Sequence, residues 1–205
     1  MANFRAIAAV SNALAGLIRD RWAKEIQNAG TQNAGTRNAG TVTIYQPRSF
    51  DAPMTDEGFS ILLFRVAVNG SVRNLTYRRD PDGRRFRPSL PLDLHYLITP
   101  WAGDGEVQHG MLGWVMRMLE DQGSLSASHL NDYIGKPDVF APNEAADIVC
   151  DPLALNDYLT LWDRLKNLPA SATYVLRMVV IDSDQVIDDG PPVQTRKGDM
   201  GEVVR

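Results

Sequence analysis

Phe59-Ser60-Ile61-Leu62-Leu63-Phe64-Arg65-Val66-Ala67-Val68 is an apolar run broken only by Ser60 and Arg65. Its aromatic and β-branched content predicts a strand, and its apolarity on both faces predicts a central place in a sheet. Asn69-Gly70 follows, and then Ser71 to Tyr77. Asn-Gly between two β-rich runs is a strong hairpin signal, because both residues tolerate positive φ. Two further strands are expected around it. Leu90 to Thr99 puts Leu92, Leu94, Tyr96 and Ile98 on one face and Asp93, His95 and Leu97 on the other. Tyr174 to Ile181 is almost wholly apolar. Thr41–Tyr45 and Ala145–Val149 read as shorter strands.

Helical periodicity occupies the gaps. Phe4, Ile7, Val10, Leu14, Leu17, Ile18, Trp22 and Ile26 recur every three or four residues, which predicts an amphipathic helix from about Asn3 to Ile26. Val107, Met111, Val115, Met118 and Leu119 predict a helix over Glu106–Gln122, weakened by Gly110 and Gly113. Pro152 stands ahead of a third helix, Leu153 to Lys166, and Ser126–Ile134 fits either class. The order predicts an α+β fold: one mixed, largely antiparallel sheet with helices packed on one face. We expect a single domain over residues 1–181 and a polar tail, extended or mobile, over 182–205.

The segment between the first helix and Thr41 holds three near-identical units in tandem, Gln27-Asn28-Ala29-Gly30-Thr31, Gln32-Asn33-Ala34-Gly35-Thr36 and Arg37-Asn38-Ala39-Gly40-Thr41. Each has turn-forming Asn and Gly and no large apolar group to bury. Five residues fall short of the period that builds solenoids, so residues 27–41 read as an expanded loop.

Composition excludes several classes. The 205 residues carry a formal net charge of −4, which gives no reason to expect nucleic-acid binding. No stretch approaches the ~18 apolar residues of a membrane span, and polar residues interrupt the only segment that resembles an export signal. No membrane insertion is expected. Cys150 is the one cysteine, so an intrachain disulfide is impossible.

Catalytic signatures are missing too. The sequence has no phosphate-binding glycine loop, nucleophile elbow or zinc-helix motif. His95, His109 and His129 are scattered, and Cys150 reads as a small buried hydrophobe. Glu106 and His109 make half of a di-iron motif without its second half. Asp182, Asp184, Asp188 and Asp189 lack the glycine and closing glutamate of a calcium loop. We expect no catalytic residue, no metal and no cofactor.

One cluster invites a binding role. Arg78-Arg79-Asp80-Pro81-Asp82-Gly83-Arg84-Arg85-Phe86-Arg87 carries five arginines, and Asp-Pro-Asp-Gly predicts a tight turn between them. The result is a hairpin-like basic finger suited to an acidic protein surface.

Beyond this point resemblance speaks. The opening Phe4-Arg5-Ala6-Ile7-Ala8-Ala9-Val10-Ser11-Asn12-Ala13-Leu14 resembles the start of the cap, or tail-terminator, family of extracellular contractile injection systems, which are phage-tail-like particles. Pro88 to Ala102, with Leu92-Asp93-Leu94-His95-Tyr96-Leu97-Ile98-Thr99-Pro100, resembles its strand motif. That motif leads into a helix matched here by Glu106, His109, Met111-Leu112-Gly113, Met116 and Leu119. Leu161-Trp162, Leu165 and Pro169 to Val175 match a third stretch. The repeats and the tail have no counterpart in the motifs.

The resemblance implies a structural subunit. It would form a ring, expected to be a homohexamer, on the last layer of inner tube and sheath, end their polymerisation and anchor the sheath. Its partners would be itself, the sheath protein and the inner tube protein, within a particle assembled in the cytoplasm. Charge and exposure, rather than the resemblance, nominate Arg84, Arg85 and Arg87 as contacts. The same grounds nominate Val193, Val203 and Val204 in the tail from Pro191 to Arg205. The rival readings are a phage-type tail-completion or neck adaptor protein, an enzyme using His95, His109 or Cys150, and a nucleic-acid module using the arginine loop.

Overall fold

The computed structural model describes residues 2–29, 40–52, 54–72, 75–134 and 139–187. Its spine is a six-stranded sheet in the order β1-β2-β5-β8-β7-β6. The central strands are β2 (Gly58–Val68), β5 (Leu90–Trp101) and β8 (Ala172–Ile181). They are the three apolar runs singled out by sequence. β2 pairs antiparallel with β5, and β5 with β8. β7 (Ala145–Cys150) continues the antiparallel ladder and β6 (Ser124–Ser126) closes it. β1 (Thr41–Tyr45) lies parallel to β2, from Thr41↔Gly58 to Tyr45↔Leu62, which makes the sheet mixed. A two-stranded ribbon, β3 (Arg78–Arg79) and β4 (Arg85–Phe86), stands apart.

Three helices cover one face: α1 (Ala6–Ala29), α2 (Gly105–Gln122) and α3 (Ala127–Asp132). α1 presents Ala6, Ala9, Val10, Ala13, Leu14, Leu17 and Ile18 to Leu92, Leu94, Tyr96 and Ile98, the face assigned to that strand from its alternation. The alanines let the helix axis approach the sheet closely. Phe4 falls outside the buried stripe and is solvent-exposed, because the helix begins two residues after it. α2 starts at Asp104, whose carboxylate accepts the Glu106 and Val107 N–H groups at 2.8 and 3.1 Å. It ends at Gly123, which adopts φ 65° and donates its N–H to Leu119 O.

The opposite face carries a smaller aromatic cluster of Tyr45, Phe50, Leu62, Leu97, Trp101, Leu165 and Leu168. Phe50 comes from the 3-10 turn Pro47–Asp51, and Leu165 and Leu168 follow α4 (Leu155–Arg164). The α+β class and the mixed, largely antiparallel sheet are as expected; α4, the third helix expected from sequence, differs in packing on the second face rather than beside the other helices.

One local expectation fails. Asn69-Gly70 does not turn a hairpin: β2 pairs with β5, and Gly70–Val72 form a 3-10 turn. Asn69 is fully buried and spends its side chain on other work. Its Oδ1 accepts the Ser71 and Val72 N–H groups at 2.9 and 3.2 Å, and its Nδ2 donates to Asp93. The first residues of the polar tail are extended, one of the two forms expected for it, and are tied down. The Asp182 N–H donates to Ala2 O at 2.8 Å, and Val186 bridges antiparallel to Phe86. The first helix extends three residues beyond its expected end, to Ala29. Most of the repeat segment, 30–39, lies outside the described residues, as do Val193, Val203 and Val204.

Candidate assembly interface

The basic finger forms as its sequence requires. Gly83, at φ 82°, closes the turn with its N–H on Asp80 O at 3.0 Å. Asp80 then holds both sides of the turn. Its Oδ1 accepts the Arg84 N–H at 2.9 Å and its Oδ2 accepts Arg84 Nε at 2.7 Å. Desolvation opposes ionisation of Asp80, but the hydrogen bonds and charge of Arg84 outweigh it and hold the carboxyl below its ordinary range.

The tail lies beside this ribbon through a single antiparallel bridge, Phe86↔Val186. Arg87 N–H donates to Gln185 O at 3.0 Å and Ile187 N–H to Arg85 O at 2.7 Å. Arg78 lies over the Phe86 ring at 4.3 Å, approaches Asp182 at 3.8 Å and donates to Ser183 O at 3.4 Å. Arg85 sits 3.7 Å from the Tyr77 ring centroid. The three nominated arginines therefore differ. Arg84 is bound to Asp80 and Asp82 within its own turn, Arg85 is stacked on Tyr77, and Arg87 is exposed. Arg79, Arg84 and Arg87 are exposed, and of these Arg84 is paired with the carboxylates of its own turn.

A second surface was not nominated from sequence. α4 is amphipathic, but Leu155, Leu159 and Trp162, at i, i+4 and i+7, are 71%, 45% and 57% exposed. The periodicity that predicted the helix also implied an apolar face; it could not tell that this stripe would remain uncovered. Trp162 is held in place by Nε1 donating to Leu168 O at 2.6 Å.

The residues weighed for chemistry stay apart. His95 Nδ1 is 3.0 Å from Asp151 Oδ2, a contact that ties β5 to the approach to α4. His109 is exposed on the first turns of α2, and His129 Nδ1 meets Ser126 Oγ at 3.0 Å on the start of α3. Burial first, and then the charge of Glu120, pushes the Cys150 thiol up, so it is no ready thiolate at neutral pH. Among the described residues no group of three His, Cys, Asp or Glu side chains is placed to hold a metal ion. No helix of the described residues is long and apolar enough to cross a membrane.

Residues 9–195 match the Pvc16 N-terminal domain family. The chain belongs to that family. As a Pvc16 N-terminal domain, it shares its fold with a chain in the cryo-EM structure of an extracellular contractile injection system, the PVC sheath/tube terminator in its extended state. The TM-score is 0.53 at 18% identity, over 91% of this chain. The match spans 64% of the terminator chain, so this Pvc16-type domain corresponds to about two thirds of that protein's length. A weaker likeness, with TM-score 0.48 and 18% identity, covers 87% of this chain and 59% of the anti-feeding prophage cap, a tube-terminating cap. No curated protein matches the sequence.

Proposed function

We propose that this chain is a structural subunit that ends tube and sheath polymerisation at one end of a contractile injection particle and anchors the sheath there. The observation that carries this reading is the family match across residues 9–195, together with the fold shared with a sheath/tube terminator. Its partners in this reading are further copies of itself in a closed ring of six, the sheath protein and the inner tube protein. The particle is assembled in the cytoplasm. Closed rings of identical subunits use head-to-tail contacts, in which two different surfaces of the chain meet. The basic finger and the bare stripe on α4 are two such surfaces, one charged and one apolar. We assign the finger contacts to Arg84, Arg85 and Arg87, with Val193, Val203 and Val204 as further contacts in the tail.

The work is binding, with no catalytic step. The raised Cys150 thiol and the separation of the three histidines support this side of the reading.

The test is particle assembly without the chain. Electron microscopy should show tubes and sheaths of irregular length with unfinished ends. Particles of normal length with normal ends would overturn the proposal. Exchanging Arg84, Arg85 and Arg87 for glutamate should impair docking at the tube–sheath end, and unchanged assembly would remove the finger from the interface.

A further inference from the structure

The two strands of the finger present different faces. Register pairs Arg78 with Phe86 and Arg79 with Arg85. On one face Arg78 stacks on Phe86 and meets Asp182 and Ser183. Side chains alternate along a strand, so Tyr77, Arg79, Arg85 and Arg87 share the other face. The ring contacts agree: the Arg79 and Arg85 guanidiniums lie 5.7 and 3.7 Å from the Tyr77 ring centroid. Like charges directly across a ladder are unfavourable, and Arg79 stands opposite Arg85. Arg79 and Arg87 are exposed and have no ion-pair partner among the described residues, and Tyr77 is 41% exposed.

We propose that this face receives an acidic segment of a different protein, with two carboxylates set to meet Arg79 and Arg87. The two arginines are diagonal neighbours across the ribbon, which spaces their backbones by about 7–8 Å. Alternate residues of an extended chain lie about 7 Å apart, so carboxylates two positions apart in the segment reach both. A guanidinium offers a planar fork that matches a carboxylate, and the pairing relieves the repulsion within the ladder. The exposed Tyr77 ring between the arginines gives the segment a flat apolar seat. Nucleic acid fits less well: the net charge of −4 repels a polyanion at long range, and Asp80 and Asp82 stand at the tip of the finger. Two copies meeting face to face would set arginine against arginine. The proposal rests on the finger being a contact element in the function proposed above, but the face belongs to the isolated chain. A chain that binds no acidic peptide and is still needed for finished particle ends would separate the two.

The test uses the purified full chain and labelled glycine–serine octapeptides carrying two glutamates at alternate positions, two at adjacent positions, or two glutamines. Fluorescence anisotropy at low salt should show the alternate-glutamate peptide binding about tenfold more tightly than either of the others. Arg79→Gln and Arg87→Gln should each erase most of that preference, whereas Arg117→Ala, on α2, should leave it unchanged. Arg79→Lys keeps the charge, loses the fork and should fall between. The proposal is overturned if the alternate-glutamate peptide does not bind at about 1 mM, or if the adjacent-glutamate peptide binds as tightly. It is equally overturned if Arg79→Gln and Arg87→Gln both bind like the wild type, if a single-stranded oligonucleotide displaces the peptide at lower concentration than unlabelled peptide does, or if sedimentation shows the chain self-associating through this face.

Discussion

Asn69 Nδ2 donates to both carboxylate oxygens of Asp93, at 2.9 and 3.2 Å, and so ties the end of β2 to the first residues of β5. Asp93 also accepts the Met178 N–H at 3.4 Å and lies 3.8 Å from Arg177 Nε. Met178 has φ 65°, where the β5–β8 register shifts, so this one carboxylate serves both a strand end and a bulge. Asn69→Ala should destabilise the protein by about 2 kcal/mol, because it orphans buried groups on both sides. Urea denaturation measures the loss; a change within error would show that the Asp93 network carries no stability.

This network also shows where sequence reading stopped. β2, β5 and β8 could be read from their apolar content, because strands at the centre of a sheet are buried along most of their length and carry that mark in composition. The fate of Asn69-Gly70 could not be read. The pair is a turn signal only while its side chain is free, and here a carboxylate more than twenty residues away in sequence claims it. In the finger, Asp-Pro-Asp-Gly specifies its own turn locally and was legible. The segment that bridges to it, Gln185 to Ile187, is too short and too polar in its flanks to announce itself.

Ser11 and Tyr96 form a second buried pair, 2.9 Å apart between α1 and β5. Ser11 Oγ also donates to Ile7 O at 3.1 Å, so its single proton is spent and Tyr96 is the donor to Ser11. The two truncations are therefore unequal. Tyr96→Phe leaves Ser11 bonded and should cost about 1 kcal/mol, whereas Ser11→Ala strands a buried phenol and should cost about 2 kcal/mol. Equal losses in chemical denaturation would contradict the donor assignment.

Alkaline pH should probe the same tyrosines. Burial raises the pKa of Tyr96 and Tyr174 above the ordinary 10.0, and burial with the Asp20 carboxylate pushes Tyr133 up to about 12. A raised folded-state pKa means full stability below pH 10.0 and a loss as pH rises beyond it, since the unfolded chain ionises first. Melting temperature against pH should be flat on this account up to about that point and then fall, with tyrosinate absorbance appearing together with unfolding. Tyrosinate absorbance at pH 10.0 in the folded protein, at the level of free tyrosine, would refute it.

The finger should respond to acid instead. The Asp80 pKa is lowered in the fold, so its contribution is present above the ordinary value of 3.8 and is lost as pH falls through the lower folded value. Hydrogen exchange at the Arg84 amide, corrected for intrinsic rate, should lose protection only below that value. Asp80→Asn should remove protection at neutral pH.

Gly16 faces the Tyr133 ring, and a Cβ there would come within 2.2 Å of Cδ1 and 2.6 Å of Cγ. Tyr133 cannot swing away freely, because its hydroxyl donates to Asp20 at 2.5 Å. Gly16→Ala would normally gain about 1 kcal/mol in a helix. Here the clash should reverse the sign, to a loss of about 1–3 kcal/mol. Pairing it with Tyr133→Ala should recover part of the gain in thermal denaturation; a stabilised single variant would show that the ring can yield.

Gly40, the last residue before β1, lies so close to α1 that an added Cβ would stand 2.0 Å from Trp22 Cδ1. Trp22 is two turns before the end of that same helix, so the chain departs from α1 and is brought back alongside it. Departure and return are thus clamped to one scaffold, independently of how many Asn-Ala-Gly-Thr units lie between. Lengthening a closed excursion twofold costs only about 0.6 kcal/mol. Adding or removing one pentapeptide between Trp22 and Gly40 should therefore leave the stability of the clamped scaffold almost unchanged, because both anchors stay in place.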